Sequence, residues 1–199
     1  MRKAGIKNYQ NFAKAILRSV KTKPISFEVF SDDFKEMEIQ AKKIASWGKN
    51  VHVKIPITNT KGQSSFQLIK NLSAANIPVN VTAVFTTSQV KKILPALSEK
   101  TPAIISIFAG RIADSGRDPM PTMKKSASLI KKLQNVELLW ASPRQPLDII
   151  LAKKAGCQII TVFPEIISRL DRLGKNLNEF SLETVEMFYE AAKSSGYNL

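Results

Sequence analysis

The chain has 199 residues, 44% hydrophobic and 23% charged, with one cysteine, one histidine and a formal net charge of +14. That length supports one full-sized domain with a sizeable core. The lone Cys157 and lone His52 exclude an internal disulfide and deprive a conventional zinc site of its ligands. No apolar run approaches the roughly 18 residues that span a bilayer, so a cytoplasmic location is expected.

Residues 1–27 hold seven Lys or Arg and no acid. A basic, acid-poor start can be an organelle transit peptide. Here, however, "YQNFAKAILRSV" (9–20) places Tyr9, Phe12, Ala13, Ile16, Leu17 and Val20 at helical spacing. The favoured reading is a packed helix of the domain itself.

Strand-like and helix-like patterns then alternate. The strands are "ISFEVF" (25–30), "NVHVKI" (50–55), "PVNVTAVF" (78–85), "AIISIFA" (103–109), "VELLWA" (136–141) and "QIITVF" (158–163). Helical periodicity covers about 33–47, 62–75, 87–99, 119–134, 146–155, 165–173 and 181–195, the last starting near Ser181. This is the βα rhythm of a parallel sheet with right-handed crossovers. An open doubly wound sheet normally carries a Gly-rich turn after its first strand, and none is present. The expected fold is a (β/α)8-barrel type, incomplete at about six strands, forming a single domain over residues 1–199.

Within "NVHVKIPIT" (50–58), Val51, Val53 and Ile55 alternate with His52 and Lys54. One strand face is therefore hydrocarbon and the other carries an ammonium. Neighbouring strands repeat the pattern, with Ser26, Glu28 and Phe30 on one, Asn80 and Thr82 on another, and Ile104, Ser106 and Phe108 on a third. In a barrel these polar-decorated faces line the interior near its mouth. A lysine in an apolar site loses its proton more readily than one in water and can then add to a carbonyl. A nearby carboxylate and hydroxyl, Glu28 and Thr82, would serve the proton transfers. A purely structural Lys54–Glu28 ion pair fits the spacing equally well. His52 reads as a wall residue and Cys157 as a small buried hydrophobe. Asp114 either positions Arg111 or caps a loop.

The positive charge is spread along helical segments such as "KKIL" (91–94) and "MKKSASLIKKL" (123–133). It reads as a solvated helical face that also attracts anionic metabolites, and nucleic-acid binding is the weaker alternative.

"VHVKIPIT", then "GQSSFQLIKNLSAANIPVNVTAVFTTSQV" (62–90), "IFAGRIADSG" (107–116) and "LWASPRQP" (139–146) resemble the transaldolase family, which includes the fructose-6-phosphate aldolases. The resemblance runs over essentially the whole chain. It implies a transferase of carbohydrate metabolism, acting in the pentose phosphate pathway. Such an enzyme passes a dihydroxyacetone unit between sugar phosphates through a lysine Schiff base, without metal or organic cofactor. It implies that Lys54 is the Schiff-base lysine and that Glu28 and Thr82 hold the water used in proton transfer. Arg111, Ser142 and Arg144 are implied at the substrate phosphate, and Asn80 and Phe108 in the pocket. Glu28 and Phe108, where the aldolases tend to have glutamine and tyrosine, favour transaldolase over aldolase.

The resemblance also implies a first strand bearing an acid/base aspartate and a second bearing a "TNPS"-like block. Neither stands in these residues, and "MRKAGIKNYQNFAKAIL" resembles the segment that comes after that second strand in the family. The chain is thus expected to be N-terminally truncated relative to the family, with Met1 an internal methionine of a truncated gene model or a natural fragment. A catalytically inactive fragment or pseudoenzyme is a further reading. Unpaired edges beside "ISFEVF" and "QIITVF" would favour aggregation or a homo-oligomer.

Overall fold

The computed structural model describes residues 5–197. Met1, on which the expectation about the start of the chain falls, lies outside the described residues, as do the next three residues of the basic N-terminal stretch.

Six parallel strands pair in strict chain order, β1 (Ile25–Glu28), β2 (Val51–Pro56), β3 (Val79–Val84), β4 (Ala103–Ile107), β5 (Val136–Trp140) and β6 (Ile159–Ile160). A doubly wound sheet reverses its strand order at a switch point; this sheet does not, and it curls into an incomplete barrel of the α/β type. The strand order leaves β1 and β6 as its two edges among the described residues.

Nine helices accompany the strands among the described residues. They are α1 (Tyr9–Ser19), α2 (Phe34–Ala45), α3 (Phe66–Ala74), α4 (Thr87–Ile93), α5 (Ala109–Asp114), α6 (Met120–Ile130), α7 (Leu147–Ala155), α8 (Pro164–Ile167) and α9 (Leu177–Ser195). Local chemistry sets several starts. Asp33 accepts from the amides of Lys35 and Glu36 at the start of α2, and Thr86 with Gln89 forms a capping box on α4. The last helix begins at Asn176, whose side chain accepts from Asn178 and Glu179, and not near Ser181. The connection from β4 to β5 holds two helices, α5 and α6, where one was expected.

The helix-facing side of the sheet forms the main core. Val51, Val53, Ile55, Val79, Val81, Ile105, Ile107, Leu138 and Trp140 are all essentially buried there. Burial of one such aliphatic side chain stabilises by about 1.5–3 kcal/mol. The concave side carries a smaller cluster of Ile104, Leu139 and Ala141, with Phe108 and Ile159 packed against it.

Two strands stop earlier than their β-prone residues suggest. After Glu28 the amides of Phe30 and Ser31 donate to the Gln40 side chain of α2, at 2.7 and 3.1 Å, instead of to a strand. After Ile160 the chain soon reaches Phe163–Pro164, where proline supplies the first residue of α8 and no ladder donor.

Candidate active site

Parallel register places Ser26 level with His52, Glu28 with Lys54, Lys54 with Asn80, and Asn80 with Ile104. The polar faces expected from strand alternation thus meet on the concave side of the sheet. They line an open cavity of ≈ 840 Å³ whose walls include Ser26, Lys54, Asn80, Ser106, Phe108 and Ser142.

Lys54 Nζ donates to Glu28 Oε1 at 2.9 Å, with 27% of the lysine side chain and 55% of the glutamate side chain exposed. The ammonium is therefore paired and partly wet, not sealed in hydrocarbon. The Glu28 backbone is held by the Tyr9 hydroxyl, which accepts from the Glu28 amide at 3.1 Å. Tyr9 itself makes edge-on contacts with the Phe27, Phe30 and Trp47 rings. Helix α1 thereby fixes the end of β1 on which the carboxylate stands.

A short hydrogen-bonded chain runs beside Lys54. Asn80 Nδ2 donates to Ser26 Oγ at 2.9 Å, reaching across β2, and Ser106 Oγ donates to Asn80 Oδ1 at 2.7 Å. Both Asn80 and Ser106 are buried. These bonds fix the side-chain amide, because both of its ends are occupied.

Thr82 lies two residues beyond Asn80 on β3, opposite Pro56. Its Oγ1 is buried and has no protein partner, although buried hydroxyls are nearly always bonded. The ladder slips just here. Val81 pairs with Ile105 but Val84 pairs with Ile107, and Ala83 between them has φ +58°. This bulge re-aims the end of β3. Ser142, at φ +57°, is a second non-glycine residue in left-handed backbone at a strand end bordering the cavity.

The basic groups stand past the ends of β4 and β5. Arg111, on α5, covers the Phe108 ring with its guanidinium 5.3 Å from the ring centre. Arg144 Nε donates to both carboxylate oxygens of Asp114, at 2.9 and 3.1 Å, and its Nη2 also donates to that carboxylate. Asp114 therefore bonds to Arg144, and neither to Arg111 nor as a simple loop cap, the two roles expected of it. This bond, reinforced by the nearby Arg111 charge, holds the Asp114 carboxyl below its usual range. The Arg144 amide is held in turn by Asp148 Oδ2 at 2.6 Å.

Gly110 makes this arrangement sterically feasible. A Cβ there would sit 1.5 Å from the Ser142 carbonyl oxygen, and the Gly110 amide donates to Ala141 O at 3.2 Å. Helix α5 and the 141–144 turn are thus packed backbone on backbone.

Lys54, Asn80, Phe108 and Ser142 share the cavity, and Glu28 meets it through Lys54. Thr82 lies just beyond Asn80, and Arg111 and Arg144 stand above the strand ends. Sequence reasoning missed the roles of Tyr9 and Gly110, and gave Asp114 to Arg111 or to a loop cap where its bonding partner is Arg144. Gly110 and Asp114 of "GRIAD" are plain in the sequence, but their partners Ser142 and Arg144 lie some thirty residues away along the chain.

A family model described as transaldolase/fructose-6-phosphate aldolase matches residues 4–199. The chain belongs to that family. It is 32% identical over 173 residues to a protein of Nitrosopumilus maritimus described as "Probable transaldolase", covering 85% of this chain and 73% of the relative. Proteins of the same description from Dehalococcoides mccartyi (31% identity, 84% and 74% covered) and Thermoplasma volcanium (33% identity, 79% and 67% covered) are similarly related. Among solved structures, a mandelate oxidase crystal structure superposes with a TM-score of 0.52 at 10% identity, over 75% of this chain and 51% of that one. At that identity the likeness concerns the fold alone. The family is one of enzymes acting on sugar phosphates. No described helix is long and apolar enough to cross a membrane.

Proposed function

We propose that this chain is a transaldolase-type protein that binds a ketose phosphate covalently at Lys54 and transfers its dihydroxyacetone unit to an aldose phosphate. The observation that carries this reading is the Lys54–Glu28 pair at 2.9 Å on the wall of a cavity that Ser142 also lines.

In this reading the Lys54 amine, once deprotonated, attacks the ketose carbonyl carbon. The resulting carbinolamine loses water to give an iminium ion. The hydroxyl on the carbon β to the iminium then gives its proton to solvent in the open cavity and becomes a carbonyl; the bond between the α and β carbons breaks, an aldose phosphate leaves as the aldehyde, and the electron pair of the broken bond moves into the iminium as an enamine. An acceptor aldehyde takes up that pair, and water releases the product. Glu28 is suited to moving the proton as water leaves and returns, because it already bonds to the reacting nitrogen. Thr82 offers a hydroxyl without a protein partner on the same strand as Asn80. Asn80, locked by Ser26 and Ser106, orients substrate hydroxyls. Arg111 and Arg144 suit the phosphate end, since a planar guanidinium binds phosphate oxygens through two parallel bonds.

Fructose-6-phosphate aldolase activity is the nearest alternative, and a product assay with and without acceptor aldehyde separates the two. The primary test is covalent trapping. Fructose 6-phosphate with borohydride is expected to leave a reduced adduct on Lys54 by peptide mass analysis. The Lys54→Arg variant should leave none, because guanidinium stays protonated. An adduct that persists in that variant refutes the assignment. Trapping reports imine formation alone, so it tests Lys54 independently of turnover.

A further inference from the structure

We infer that Asp114 is the positioning residue of the anion site: it holds the Arg144 guanidinium by its Nε edge so that the free tip of the fork faces a phosphate. The inference rests on the proposed phosphate role of Arg144 and extends it to a residue with no substrate contact of its own.

A guanidinium has five N–H donors in a rigid fork. Asp114 takes the Nε–H and a hydrogen of Nη2. The two hydrogens of Nη1 and the second hydrogen of Nη2 remain for another acceptor. One hydrogen of Nη1 and the free hydrogen of Nη2 lie on the tip of the fork, away from the carboxylate, and form the pair of parallel donors that a phosphate requires. Asp114 is therefore placed to orient the arginine without occupying the edge that would meet the ligand.

The support behind this contact is rigid. Asp114 ends α5, and that helix is pressed against the Ser142 carbonyl through Gly110. Arg144 begins its side chain from an amide tied to the buried Asp148. Both ends of the ion pair are thus anchored in backbone, while the charged groups themselves are half exposed. An arginine so exposed would otherwise sample many rotamers, and ordering it on binding would weaken the complex. Arg111, one turn before Asp114 on the same helix, is carried along by the same support.

The test is binding of inorganic phosphate, followed by calorimetry and by the side-chain NMR signal of the Arg144 Nε–H. The Arg144→Ala variant is expected to weaken binding about tenfold or more. Asp114→Asn should weaken it about three- to fivefold, the scale of a good exposed pair, and broaden or shift the Nε–H signal in the free protein. Asp114→Glu should restore affinity to within about twofold, a rescue that a merely structural role would not give. Thermal unfolding identifies any misfolded variant, and Asp114→Ser then replaces Asp114→Asn. If Arg144→Ala loses phosphate while Asp114→Asn binds it as well as or better than the parent, Asp114 is a competitor or bystander and the inference is overturned. If Arg144→Ala binds phosphate like the parent, the phosphate reading of Arg144 itself fails. The two failures are therefore distinguishable.

Discussion

Lys54 and Glu28 sit at the same level of adjacent parallel strands and are joined by a 2.9 Å bond from Nζ to Oε1. The alignment comes from β1–β2 register, so any change of one partner leaves the other's backbone in place. Glu28→Gln keeps an oxygen acceptor and removes the charge. If the pair serves imine chemistry, trapping at Lys54 should slow by about 100-fold or more, while the melting temperature changes little, because exposed ion pairs contribute weakly. Trapping at the parental rate would assign the pair a structural role only.

Arg144→Ala should discriminate between substrates. Phosphorylated ligands should lose about ten- to a hundredfold in affinity, the usual scale for bonds to a charged group. The same sugars without phosphate should lose little. Competition binding with both series measures the contrast, and equal losses would show that Arg144 acts through the 141–144 turn and not through phosphate.

Gly110→Ala tests the backbone contact beneath the anion site. The added methyl would stand 1.5 Å from the Ser142 oxygen, a clash that only backbone movement relieves. Destabilisation at or above the upper end of ordinary overpacking, about 3 kcal/mol, is expected, together with loss of phosphate binding. Urea unfolding gives the first and calorimetry the second. A variant as stable as the parent would mean that α5 can shift freely away from the turn.

The alternation of Val51, Val53 and Ile55 with His52 and Lys54 is enough to orient β2, and the same parity places Ser26, Asn80 and Ser106 on the cavity side. Period-2 patterns are legible because they depend only on the strand itself. The end of β1 is not legible, because it is decided by Gln40 accepting two amides from another element. Helix α5 escapes for a similar reason. It is six residues long, too short for periodicity to show. Asp114 and Arg144 are thirty residues apart, and no local rule pairs them. Family resemblance supplies the candidate roles of Lys54 and the arginines, which spacing alone leaves open between imine chemistry and an ion pair. The Ala83 and Ser142 backbones have no sequence signal at all, since neither is the glycine or asparagine that left-handed conformation favours.

His52 provides a pH test of the concave face. It is only 8% exposed, its Nδ1 has no protein partner, and burial lowers its pKa from the ordinary value near 6.5, with the Asn50 backbone opposing the shift in part. A depressed folded-state value means that the unfolded chain takes up the proton first as pH falls. The neutral ring therefore costs nothing above the ordinary histidine range, and stability declines as pH drops through about 6.5 toward the lower folded value. Replacing the ring by His52→Val, which suits a strand already rich in valine, removes this proton linkage. The parent should lose more stability than the variant between about pH 7.5 and about pH 5, with carboxylate effects common to both cancelling in the difference. Urea unfolding of both proteins across that range measures it. Parallel stability curves would show that His52 is solvated enough to titrate alike in the folded and unfolded states.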